Sequence, residues 1–184
     1  MKKLIILFLL ANVVFAQKIA KTDTGTINGA TYRIIFPENW KGKLVMYAHG
    51  YEFRGSPLQS KNPEWISRMK PFTERGFAVA ASDYRNQGLA LVQGVDDTED
   101  LRQHFVKKYG QPDSTFMAGH SMGGGITIAT LENFSKNYVG GFPLCPLAGR
   151  IYLQTRKEFD LIATFNALFP GNMPSLAEIL DKNQ

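Results

Sequence analysis

From Ala30 onward, short apolar runs alternate with stretches whose apolar residues return every three or four positions. ATYRIIFP (Ala30 to Pro37) is rich in β-branched and aromatic residues and stops at a proline, which predicts a strand. ENWKG then makes a turn into KLVMYAHG (Lys43 to Gly50), a mostly apolar run that fits a strand covered on both faces. In NPEWISRMKPFTERG, Asn62 is placed to cap a helix with Pro63 at its first position. Trp65, Met69 and Phe72 form the inner face, Pro71 kinks or shortens the helix, and Gly76 stops it. FAVAASDY (Phe77 to Tyr84) predicts a short buried strand.

DTEDLRQHFVKKYG predicts a helix with acids at its start and lysines at its end, the order that suits the macrodipole. Leu101, Phe105 and Tyr109 mark its inner face. STFMAG follows as a strand, MGGGITIATLENFSKN as a helix, and VGGFPLCPLAG contains another short strand. EFDLIATFNALFP and SLAEILDKN predict two more helices, broken by PGNMP. Apolar strands alternating with amphipathic helices predict an α/β fold, a mostly parallel sheet with helices on both faces. The short link after Pro37 allows an antiparallel strand at the start of the sheet.

The first sixteen residues stand apart. Lys2 and Lys3 precede an apolar run from Leu4, and VFA ends it with a small residue before Gln17. This is the pattern of a secretory signal peptide cut after Ala16, giving an exported chain. The run is short for a membrane span, no cysteine follows the cut to carry a lipid, and no later segment is apolar enough to cross, so a stable membrane anchor is not expected. Removal of the two lysines lowers the formal charge from +5 to +3. That charge is spread along the chain, with no basic stripe to suggest a nucleic-acid partner. The single cysteine, Cys145, excludes an internal disulfide and sits in FPLCPL, where a small buried hydrophobe is expected.

The chemistry is concentrated in FMAGHSMGGG. Gly119, His120, Ser121, Met122 and Gly123 match G-x-S-x-G, with a predicted strand before and a helix after. The spacing has a steric reason. A serine at the tip of a tight strand-to-helix turn needs small residues two before and two after, so that strand and helix can approach. The helix N-terminus then offers free N–H groups to a developing oxyanion.

With this context the sequence resembles the α/β-hydrolase superfamily, in particular its esterase, lipase and peptidase-like members. MYAHGY resembles the His-Gly segment after the third strand, SDYRNQG the Asp-x-Arg-x-x-Gly loop after the fourth, and GHSMGG the elbow after the fifth. The resemblance covers roughly residues 30 to 149. It implies Ser121 as nucleophile, the backbone N–H groups of Met122 and Tyr51 as oxyanion donors, and an oxyanion loop shaped by His49 and Gly50. Gly119, His120 and Gly123 would support the elbow, with the His120 side chain pointing away from Ser121. Asp83 and Arg85 would brace loops near the site, and His104 is expected on the surface. No metal or organic cofactor is implied. The substrate would be a small molecule or peptide carrying an acyl group.

The pattern then breaks. The superfamily's triad runs serine, acid, histidine, yet no histidine follows Ser121. None of the later acids, Glu132, Glu158, Asp160, Glu178 and Asp181, sits at the end of a recognisable strand. Residues 17 to 149 resemble the N-terminal part of the hydrolase core, and 150 to 184 a helical cap, so the expectation is a chain that stops inside the cap. Without a base the serine would be weak or inactive. Two alternatives stay open: a secreted binding protein that kept the fold and lost the triad, and a partner chain that supplies the histidine.

Overall fold

The computed structural model describes residues 18 to 173; the segment expected to be a signal peptide and the SLAEILDKN helix lie outside the described residues. Six strands form one sheet: β1 (Ile19–Ile27), β2 (Ala30–Pro37), β3 (Lys43–Ala48), β4 (Phe77–Ser82), β5 (Ser114–His120) and β6 (Gly140–Leu144). Their order is β1-β2-β4-β3-β5-β6. β2 is antiparallel to both β1 and β4, and the pairings β4–β3, β3–β5 and β5–β6 are parallel. The helices are α1 (Glu64–Arg68), α2 (Lys70–Thr73), α3 (Leu91–Tyr109), α4 (Met122–Asn133) and α5 (Ile151–Leu168).

Because side chains alternate across a strand, neighbouring residues serve opposite faces of the sheet. Ile34 joins Leu44, Met46, Met117, Leu101, Phe105 and Ile126 beneath α3 and α4. Ile35, next in sequence, joins Val45, Val79, Trp65 and Met69 beneath α1 and α2. The helices thus cover both faces, as the apolar runs require. Asn62 Oδ1 accepts the Glu64 N–H at 2.9 Å, so the capping residue is as expected, with helix beginning one residue after Pro63. The helical stretch breaks at Met69, just before Pro71, where a proline ring cannot follow a regular turn.

Four features differ from the sequence reading. β1 was not predicted: IAKTDTGTI is mostly polar and lies at the sheet edge, so burial leaves little pattern in it. A signal was present nonetheless. Asn28-Gly29 joins β1 to β2 with positive φ at both residues, 49° and 88°, the two-residue hairpin turn for which Asn-Gly is suited. α3 starts at Leu91, well before Asp97, and Gly94 lets its first turns approach α4; a Cβ there would lie 2.3 Å from Ile126 Cδ1.

Its acids therefore sit inside the helix and not at its N-terminus. Asp97 accepts from Arg85 N and Nε at 2.7 and 2.6 Å, and Glu99 accepts from Arg102, Asn137 and Tyr138. They are buried charge partners, and only Lys107 and Lys108 fit the macrodipole reading. α5 begins at Ile151, earlier than the EFDLIATF pattern suggested. Finally, Cys145 is exposed with φ 44°: it follows β6, whose outer edge has no neighbouring strand among the described residues, so an apolar neighbourhood in sequence did not become burial.

Candidate active site

β5 runs in the middle of the parallel strands and ends at His120; α4 starts at Met122. Ser121 alone makes the turn, at φ 55°, ψ −121°. A non-glycine residue there stores roughly 1–3 kcal/mol and persists only if its surroundings hold it. They do. Ser121 N donates to Leu144 O at 2.9 Å, and Ser121 O accepts from Gly124 N, Gly125 N and Leu147 N at 3.0, 3.2 and 2.9 Å.

The flanking glycines are steric necessities. A Cβ on Gly119 would lie 2.3 Å from Gly123 O, and one on Gly123 would lie 2.1 Å from Ala48 O and 2.5 Å from His49 O. Strand β5, helix α4 and the end of β3 can meet only without those side chains.

Ser121 is exposed at the floor of a cavity of about 360 Å³, shared with Tyr51, Leu89, Met122, Leu147, Gln154, Thr155 and Glu158. Both residues expected to donate to an oxyanion thus line the same space as the serine. Met122 is the first residue of α4, where helical N–H groups have no intrahelical acceptor and the dipole favours negative charge. Gly50 packs against the tip: a Cβ on it would be 3.4 Å from Ser121 Cβ. Gln154, Thr155 and Glu158 come from α5, and no sequence signal beyond the cap-like resemblance pointed to them.

None of the chain's three histidines lines this cavity. His49 is buried and stacked on Tyr84 at 4.1 Å; its Nδ1–H donates to Gly50 O at 2.7 Å, which suits the loop-shaping role. His120 points the other way from Ser121's cleft, with Nδ1 2.9 Å from Tyr47 Oη. Burial, then the charges of His49 and Arg68, hold the His120 imidazole below its usual range. Both rings line a small cavity of about 70 Å³, which Gly50, Glu52 and Trp65 also line. His49 Nε2, both Glu52 carboxylate oxygens and Trp65 Nε1 are buried there without a hydrogen-bond partner among the described residues, although Glu52 Oε1 lies 3.7 Å from His49 Nδ1.

His104, expected on the surface, is half-buried with Nε2 3.2 Å from Tyr32 Oη; the edge strands fold over α3 and enclose it. Asp83 and Arg85 do brace loops. Buried Asp83 accepts the Ser60 N–H at 2.8 Å and the Thr31 hydroxyl, and Arg85 holds Asp97. Among the described residues no cluster of three or more His, Cys, Asp or Glu could hold a metal ion, and no helix is long and apolar enough to cross a membrane.

No protein-family model matches the chain. The esterase Pf2001 of Pyrococcus furiosus is similar in structure, with a TM-score of 0.62 at 18% identity over 91% of this chain and 60% of that one. A thermostable carboxyl esterase of Bacillus coagulans gives a TM-score of 0.57 at 19% identity, over 86% and 54%. In sequence, an o-phthalyl amidase of Xanthobacter agilis is 26% identical over 121 residues, which is 64% of this chain and 25% of that enzyme. The chain therefore spans little more than half the length of the structures it resembles, and a quarter of the amidase.

Proposed function

Because the chain is built on the α/β-hydrolase fold, we propose that it belongs to a serine hydrolase that works by acyl transfer. Ser121 Oγ attacks the carbonyl of a small-molecule ester or amide. The carbonyl oxygen takes up the negative charge and rests on the N–H groups of Met122 and Tyr51. The proton of the serine hydroxyl passes through the base to the alcohol or amine, which departs as its bond to the carbonyl carbon breaks, and water then releases the acyl group from the serine. Esterases share the fold and an amidase shares sequence, and both bonds yield to the same addition at a carbonyl.

The observation that carries this reading is the strained conformation of Ser121, clamped by four backbone hydrogen bonds and presented to a cleft. A turn that only joined a strand to a helix would have no use for that strain, which argues against a binding protein with a degenerate site.

The general base is not among His49, His104 and His120. Each is engaged away from the Ser121 cavity, and the serine hydroxyl has no partner among the described residues. In this reading a longer form of the protein or a partner chain supplies the histidine. On its own the serine is left with binding and oxyanion stabilisation, which sustain only a residual rate.

A fluorophosphonate probe tests this. Slow or absent labelling of this chain is expected, with rapid labelling at Ser121 once a longer form supplying a histidine is used, and none in Ser121→Ala. Rapid labelling of this chain alone would put the base among residues argued here to be elsewhere. Labelling that survives Ser121→Ala would remove Ser121 from the mechanism.

A further inference from the structure

A second and larger cleft opens beside the Ser121 cavity, about 740 Å³ in volume, and Leu89 forms a wall of both. Its polar lining includes Arg54, Arg85, Asn86, Gln87 and Gln93, and no carboxylate is among the lining residues. The two guanidinium groups differ. Arg85 is committed to Asp97 through Nε at 2.6 Å and a closer contact from its terminal nitrogen, so its charge is already met. Arg54 has no hydrogen bond or ion pair to any described residue.

Arg54 stands on a tied loop. Gln87 accepts the Gly55 N–H at 2.7 Å and donates to Ser56 O at 2.8 Å, and Gly88 N donates to Glu52 O at 2.9 Å. The loop on which Arg54 projects is thus held at both sides of that residue. It also carries Tyr51. The three-residue step from Tyr51 to Arg54 keeps their backbones within about 11 Å of each other, and Arg54 projects into the cleft that adjoins the Ser121 cavity across the shared Leu89 wall.

We propose that Arg54 is the anion-binding residue of this enzyme's substrate site, and that the substrate carries a free carboxylate in addition to its scissile ester or amide. The proposal rests on the serine-hydrolase reading for the position of the scissile bond. A planar guanidinium forms two parallel hydrogen bonds to a carboxylate. One uncommitted cation among neutral amides matches a monoanion, whereas a phosphate dianion would call for further cations. The neutral side chains around it offer additional donors without competing negative charge.

The test is binding of two probes to the full chain: monomethyl adipate, which is anionic, and dimethyl adipate, its neutral counterpart, followed by amide chemical shifts. A charge-assisted pair predicts about tenfold tighter binding of the monoester, with the preference falling as salt is raised. Arg54→Gln is expected to remove the preference for the monoester over the diester, and Arg54→Lys to keep part of it. Equal affinity for the two esters, no saturable binding of the monoester, or a preference that survives Arg54→Gln would each overturn the proposal. Failure of the serine reading looks different: fluorophosphonate would not label Ser121 in any form of the protein, while the charge preference would stand.

Discussion

The two sides of the β3–β5 pair are built differently. On one side β4 is buried from Ala78 to Ser82, with helices over both faces, and its small residues let them pack closely. On the other side β6 leaves Phe142 and Leu144 more than half exposed, at 57% and 53%, and α5 beyond it exposes Tyr152, Leu161 and Leu168. The candidate site lies on the seam. Both sides hold the strained serine: Gly123 packs it against the end of β3, and Leu144 and Leu147 on the uncovered side bond its backbone, while α5 supplies one wall of the cleft. The Ser121 turn is therefore anchored to the packed strands as well as to β6, while the α5 wall of the cleft rests on a sparsely supported helix.

Paired truncations break or sharpen that contrast most strongly. Phe105 is fully buried against Phe36 and Tyr109, and Phe105→Ala should cost about 3–5 kcal/mol. Phe142→Ala should cost under about 1 kcal/mol, because an exposed ring has little burial to lose. Urea unfolding of the two variants measures the difference, and equal losses would show that the β6 side is covered in solution. Phe142→Lys should in addition reduce aggregation, since a charge blunts an open sheet edge; light scattering reads this.

Gly123→Ala comes next. Its methyl would meet backbone, which cannot rotate away, so a loss of about 3 kcal/mol is expected. The oxyanion geometry would go with it, and the same unfolding curve together with probe labelling checks both. Ser121→Gly should act in the opposite sense. Glycine accepts positive φ without strain, so the variant should gain up to about 1 kcal/mol while losing all labelling. An unchanged or lowered unfolding midpoint would mean that the elbow stores no strain.

The smallest effect is a pH dependence. The folded-state pKa of His120 is depressed, so its contribution is fully present above the unfolded value of about 6.5 and is lost as pH falls through the folded value. Native chain should weaken slightly over that acidic window, and His120→Asn should weaken less. A parallel pH profile for the two would remove His120 as the cause.

Much of this arrangement was legible in the residues. Gly119 and Gly123 flanking Ser121 could be read as an elbow because the requirement is local: a strand, one strained residue and a helix, with no room for a Cβ between them. β3, β4 and β5 were legible because burial on both faces leaves uninterrupted apolar runs. β1 was not, because an edge strand carries little burial pattern, although Asn28-Gly29 marked its hairpin. The acids of α3 resembled an N-terminal charge bias until Leu91 proved to start the helix; Asp97 and Glu99 then became buried partners of Arg85 and Arg102.

By itself, then, the sequence determined the alternation of strand and helix and the identity of the residue at the tip of the elbow, since both follow from contacts within a few residues. Only the tertiary structure decided which residues share the cleft. Tyr51, Leu89, Ser121 and Glu158 are far apart in sequence and share the cleft only through loop and helix placement. It also decided that His49 and His120 line a cavity separate from that of Ser121. A side chain's direction depends on everything packed around it, and that is set by contacts between distant segments.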